Sequence, residues 1–260
     1  MIDVLFDGLE RLRRKDYAWV QLDVATPGLS AAAIAAAVVR VADDLSALVA
    51  ESPARRPIGR WWFIRKNPGV RVRIEIPDKN HTSSTAALSA LSVLGPTTIS
   101  EYEAERYRFG GDDGMDIAHD QFALDSTLTV LRERMNEPPI QWSAWLLDDL
   151  SRRLTDDAAE AWDSWKRLEE VLESAIGAHI AQEFPISTSA DDQAARQVKS
   201  AAERGHSVVA RRLRQASLGH GVGRRTWFGA VAIFHWNRLA LTPREMQRVV
   251  SEVISRFNCR

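Results

Sequence analysis

The chain holds a single cysteine, Cys259, one residue from the C-terminus. It cannot form an internal disulfide, and a nucleophile on a fraying chain end is badly placed for catalysis, so thiol chemistry is set aside. Such sparing use of cysteine fits a reducing cytoplasm. Neither sign of charge dominates: 27% of residues are charged and the formal net charge is -1. Nothing there favours nucleic acid or an anionic membrane, both of which select a basic surface. A long apolar run is also missing. The best candidate for a span, LSAAAIAAAVVRVADDLSALVA, is broken by Arg40, Asp43 and Asp44 and reads as an alanine-rich packed helix. The N-terminal MIDVLFDGLERLRRKDYAWVQ carries early acids and lacks the basic-then-apolar order of a secretory signal. There is no Walker-type glycine loop and no HExxH, and the six histidines show no metal spacing. GHGVGRR follows a helical stretch rather than a strand, which is the wrong context for a dinucleotide fingerprint. No metal and no cofactor is implied, so any chemistry must come from acid–base groups and positioning.

What is present is an ordinary globular composition: 260 residues, 45% apolar, enough to bury a substantial core. Nine tryptophans are many, and they read first as core and interface filling, with a ligand platform as the alternative. YAWVQLDV (Tyr17 to Val24) alternates like a strand, and Ser30 is placed to cap a helix over about residues 31–50. SPARRPIG reads as a surface loop. RWWFIRK and VRVRIEI flank NPG, a hairpin signal. Period two sets Arg71, Arg73 and Glu75 on one face and Val70, Val72, Ile74 and Ile76 on the other. A short helix is expected over 83–95, a strand from Thr97 to about Tyr102, and a helix from about Asp113 to Glu133. From Ile140 to Ala216 the pattern is helical, interrupted at EFPISTSADD. A last helix starts at Thr242-Pro243, where an N-cap threonine, a first-turn proline and Glu245 combine. Strands early and helices late predict an α+β fold, an antiparallel sheet from the N-terminal half with a largely helical C-terminal half. With no repeat and no linker, residues 1–260 read as one domain.

The stretch EYEAERYRFGGDDGMDIAHDQFALDS places arginines among acidic and aromatic residues before a glycine pair that lets backbone approach a ligand closely. Guanidinium groups present a planar fork to carboxylates and polarised carbonyls. Arg71, Arg73 and Arg108 are candidates for that role; the alternative is pairing with Glu75, Glu103 or Glu105 on a solvated face. His235, within AIFHWNRL, either transfers protons or is a buried, hydrogen-bonded structural residue. Tyr102 either donates to a developing oxyanion or packs in the core.

The order of these features resembles the thiopeptide-type bacteriocin biosynthesis family. Its members are similar to the glutamate-elimination domain of class I lanthipeptide dehydratases and to the stand-alone pyridine synthases of thiopeptide pathways. The likeness covers roughly Tyr17 to the C-terminus. It rests on Tyr102-Glu103-x-Glu105-x-x-Arg108-Phe109-Gly110-Gly111 against a family form of YEPE followed two residues later by RYGG. Asp125-Ser126 and His235-x-Asn237-Arg238-Leu239 add to it. Ala104 replaces the usual proline and Phe109 the usual tyrosine; the helical region from about 140 to 220 matches no family motif.

The resemblance implies a cofactor-independent enzyme acting on a ribosomally made, post-translationally modified precursor peptide with leader and core, and it allows a homodimer. The expected reaction is a formal aza-cycloaddition between two dehydroalanines, with loss of water and expulsion of the leader. The alternative is glutamate elimination from glutamylated Ser or Thr, and a third reading is a non-catalytic peptide-recognition module. The lack of an attached glutamylation domain favours the first. His235, Tyr102 and Arg108 are then the catalytic candidates. Arg71, Arg73, Glu105, Ser126, Asn237 and Arg238 are the substrate-binding ones, with Glu105 orienting an arginine and Ser126 either facing the pocket or back-bonding in its helix.

Overall fold

The hairpin is the framework of the sheet. The computed structural model of the chain describes residues 17–48, 58–77, 81–176 and 193–258. Within them β1 (Tyr17–Val24), β2 (Trp61–Lys66), β3 (Gly69–Pro77) and β4 (Thr97–Ser100) form a four-stranded sheet in the order β2-β3-β1-β4, with antiparallel pairing throughout. The helices are α1 (Ala31–Leu48), α2 (His81–Ser92), α3 (Asp112–Met135), α4 (Pro139–Leu154), α5 (Ala158–Ile176), α6 (Gln193–Gln215), α7 (Arg224–Leu239) and α8 (Pro243–Asn258). The fold is α+β, as the segregation of strands and helices predicts. None of the described helices is long and apolar enough to cross a membrane. EFPISTSADD, Cys259, the N-terminal segment before Tyr17 and most of SPARRPIG lie outside the described residues.

The described residues form two compact units. One holds the chain up to Ala104 together with Phe122–Glu133; the other holds Glu105–Gln121 together with everything from Arg134 onward. In the first, one sheet face is predominantly apolar: Val20, Leu22 and Val24 from β1, Phe63 from β2, and Val70, Val72, Ile74 and Ile76 from β3. Helix α1 lays Ile34, Val38, Val41 and Leu45 on it, at helical spacing, and α2 adds Ala87, Ala90 and Leu91. Each large aliphatic side chain buried this way contributes about 1.5–3 kcal/mol. Ser30 does cap α1, its Oγ accepting from the Ala33 N–H at 3.1 Å. β4 is shorter than expected and stops at Ser100, where its ladder with β1 ends opposite Gln21. Helix α2 ends at Ser92 rather than 95, the chain turning through Leu94 and Gly95 by bonds to Leu91 and Ser92 carbonyls.

The second unit is helical, and most of its tryptophans serve the core, Trp162 being exposed. Trp165, Trp227 and Trp236 are fully buried, and each satisfies its indole N–H: on Ser151 Oγ at 3.1 Å, the Gly114 carbonyl at 3.1 Å and Ser143 Oγ at 3.0 Å. At α8 the expected capping box is made: the Thr242 N–H donates to Glu245 Oε2 at 2.7 Å, and the Glu245 N–H to Thr242 Oγ1 at 3.3 Å.

Candidate functional site

Residues two apart on a strand share a face, so β3 carries Arg71, Arg73 and Glu75 on the side opposite the apolar core. Pairing register then fixes their neighbours. Arg73 stands opposite Gln21 of β1 and Trp62 of β2, and Gln21 opposite Ser100 of β4. Arg71 stands opposite Asp23, and Glu75 opposite Trp19.

Arg73 is only 7% exposed. Its Nε–H donates to Gln21 Oε1 at 2.7 Å, and Gln21 Nε2 donates to Ser100 Oγ at 2.7 Å. The guanidinium lies over the Trp62 ring at 4.2 Å and over the Tyr102 ring at 4.6 Å. Trp19 meets both rings edge-on, at 6.5 and 5.8 Å, and Phe122 packs on Trp62 at 4.7 Å. A desolvated cation against an aromatic face gains about 2 kcal/mol or more. The cage fixes the plane of the guanidinium, which is what recognition of a planar carboxylate or carbonyl requires. Arg71 is different. It is half-exposed and paired with Asp23 at 2.8 Å, whose other oxygen accepts from Ser100 Oγ at 2.5 Å. Glu75 is committed to Arg60, accepting from its backbone N–H at 2.9 Å and from its guanidinium at 2.5 and 3.1 Å.

Ser126 is fully buried and works on the sheet edge. Its Oγ accepts the Phe63 N–H of β2 at 3.2 Å and donates to the Phe122 carbonyl at 2.8 Å. Ser126→Ala leaves an edge-strand donor without its acceptor and is expected to cost about 1–2 kcal/mol, read from denaturant midpoints. An unchanged midpoint would show that the bond adds nothing.

In the helical unit the RFGG segment meets the helix that carries His235. Phe109 packs on Phe234 at 5.8 Å and on Trp227 at 6.4 Å. Arg108, next to Phe109, is 51% exposed and pairs with Glu105 at 2.8 Å, so Glu105 does hold an arginine. His235 is 1% exposed and Arg238 fully buried, whereas Asn237 is exposed on the other side of the turn. Arg71, Arg73, Tyr102 and Ser126 therefore belong to the sheet unit, and Glu105, Arg108, His235, Asn237 and Arg238 to the helical one.

Sequence spacing missed a buried dyad in the helical unit. His206 of α6, fully buried, places Nδ1 2.8 Å from Asp149 Oδ2 of α4, and its Nε2 lies 3.4 Å from Gln121 Nε2 of α3. Donation from Nδ1–H to the carboxylate leaves Nε2 to accept from the Gln121 amide. Burial alone would push the Asp149 carboxyl up, but the hydrogen bonds from His206 and Arg153 and the Arg153 charge outweigh it and hold the group below the ordinary carboxylate value. Stability from such a group is complete above the unfolded value near ~4 and is lost as pH falls through the lower folded value. Asp149→Asn is expected to cost about 1–3 kcal/mol at neutral pH and to flatten the acid limb of a melting-temperature profile between about pH 5 and 2. Parallel acid limbs would show that Asp149 does not titrate with folding. Among the described residues no cluster of histidine, cysteine, aspartate and glutamate could hold a metal ion.

Comparison with known proteins agrees with this architecture. The family model for the lantibiotic biosynthesis dehydratase C-terminus matches residues 19–257. No curated protein matches the chain. Among solved structures, the tRNA-dependent lantibiotic dehydratase MibB from Microbispora sp. 107891 superposes with a TM-score of 0.58 at 16% identity, over 95% of this chain. This chain spans only 28% of MibB. TbtD, the pyridine synthase from thiomuracin biosynthesis, superposes with a TM-score of 0.55 at 12% identity, over 92% of this chain and 97% of TbtD. The fold, an antiparallel sheet followed by helices, is thus shared over nearly the whole of this chain. The chain belongs to the lantibiotic biosynthesis dehydratase C-terminal family, whose members are enzymes that modify ribosomally made peptides.

Proposed function

We propose that the protein is a pyridine synthase: a macrocyclase joining two dehydroalanines of a leader-bearing peptide by a formal aza-cycloaddition, with loss of water and expulsion of the leader. The observation that carries this reading is the fold shared with TbtD, with a TM-score of 0.55 over 92% of this chain. The reading takes residues 1–260 as one elimination-like domain, in keeping with a family match over 19–257. It calls on no metal or cofactor.

Ring closure needs an amide presented as its iminol, so a proton must leave nitrogen and one must reach oxygen. A guanidinium donating to the carbonyl oxygen favours that form. Arg108 has the exposure to do so, its present partner being a surface carboxylate. His235 transfers the proton. Arg73, held in plane by Trp62 and Tyr102, grips a peptide carbonyl, and Arg71 assists it. Arg238, buried on the same helix, shapes the wall next to His235, while Asn237 faces solvent. Ser126 acts through the sheet by holding β2 in place.

One observation favours glutamate elimination as the second reading. Arg108 already holds a glutamate side chain, that of Glu105, a contact of the kind that chemistry uses. Incubation with a leader-bearing peptide containing two dehydroalanines, followed by mass measurement, decides between them. Loss of the leader with a new ring is expected. Release of glutamate from a glutamylated peptide would instead establish the second reading, and unchanged masses with tight binding would leave a recognition module.

A further inference from the structure

GHGVG is the motif to which the proposed chemistry gives no role, and in the structure it lies against the segment that carries Arg108. The Gly219 N–H donates to the Gly110 carbonyl at 2.8 Å, joining the loop before α7 to the RFGG turn. The fit depends on Gly110 of the RFGG turn and on Gly114 at the start of α3. Gly110 has φ +82, and a Cβ there would come within 3.1 Å of Leu218 and 3.3 Å of Val222. A Cβ on Gly114 would meet the Phe109 carbonyl oxygen at 1.8 Å and Leu218 at 2.8 Å. Leu218 is thereby clamped, and with it the direction of the next two residues.

What the clamp presents is a pair of rings. His220 lies 4.9 Å from Tyr107, centre to centre, tilted by 42°. Both are exposed, Tyr107 at 74%. His220 sits in the left-handed region at φ +58, beside Gly221 at φ +68. A side chain held there costs roughly 1–2 kcal/mol, a strain that glycine would avoid. The ring pair is flanked by guanidinium groups, Arg106 bound to Asp112 at 2.7 Å and Arg108 bound to Glu105 at 2.8 Å. Exposed pairs of this kind are worth at most about 1 kcal/mol, so an incoming acceptor exchanges with them at little cost.

We propose that Tyr107 and His220 form a further substrate-binding element, whose ring faces take a flat amide segment of the modified peptide while Arg108 takes that segment's carbonyl oxygen. This deepens the function proposed above and rests on it. Ring faces select planarity, and the adjacent guanidinium selects the oxygen. The left-handed backbone aims the imidazole beside the tyrosine ring.

His220→Gly separates side chain from backbone, because glycine adopts the same φ without strain. With the labelled two-dehydroalanine, leader-bearing peptide as probe, fluorescence anisotropy is expected to show binding weakened roughly ten-fold in His220→Gly and in Tyr107→Ala. The double variant is expected to lose less than the product of the two, since the rings act as a pair. Melting temperatures should stay level, or rise for His220→Gly. Wild-type affinity in both single variants, with wild-type protein converting the peptide, overturns this inference alone. A wild-type protein that neither binds nor converts the peptide overturns the proposed function and this inference with it.

Discussion

Arg108→Ala is expected to abolish turnover of the peptide, by about a thousand-fold or more in kcat/KM, while the melting temperature moves by no more than about 3 °C. The two halves of that expectation have separate physical grounds. Arg108 and Glu105 are about half-exposed and share one bond of 2.8 Å, so solvent screens the pair and little stability is lost with it. The turn itself is held by backbone, by the Gly111 N–H on the Arg106 carbonyl at 2.8 Å and the Gly219 N–H on the Gly110 carbonyl. The alanine variant therefore folds. What it lacks, on the proposed reading, is the donor fork assigned to polarising the reacting amide or ester. Arg108→Lys restores charge without the planar fork, and a partial recovery is expected from it. Full activity in Arg108→Ala would remove this residue from the chemistry.

Arg73→Lys is expected to cost about 2–4 kcal/mol of folding stability and to lower activity with it, whereas Arg71→Lys should cost under about 1 kcal/mol. Lysine keeps the charge at position 73 but cannot lie flat over Trp62 and Tyr102 while donating sideways to Gln21. A compact ammonium buried against two aromatic rings is also harder to desolvate than a guanidinium. Arg71 has no cage, and its partner Asp23 can accept from either side chain. Denaturant melts of the two variants side by side provide the check. Equal losses at both positions would mean that the rings around Arg73 add nothing beyond burial.

The alternation in VRVRIEI made the sheet legible: it separated the four apolar residues that face α1 and α2 from the three charged ones that do not. The caps at Ser30 and Thr242 were legible for the same reason, since each is local and uses hydrogen bonds over three residues. The cage was not. Trp62, Tyr102, Gln21 and Ser100 reach Arg73 through strand order β2-β3-β1-β4, and no periodicity states strand order. Ser126 looked pocket-facing by its place in a family motif, yet its partner is the Phe63 amide, 63 positions away. His206 and Asp149 lie on separate helices, 57 positions apart, so the dyad depends on how α4 and α6 pack. GHGVG was noticed and set aside as a failed nucleotide motif. Its contact with Gly110 could not be read from either loop alone.

The serine that takes the Phe63 amide has a bearing on how this protein behaves at high concentration. A β2 rim with an unanswered amide would be a template on which a second molecule could add its own strand, the first step toward polymerisation. Ser126 occupies that template, and the salt link from Arg65 to Glu133 lies further along the same strand and helix. A sheet whose margin is stopped in this way keeps that edge closed to strand addition by a second copy.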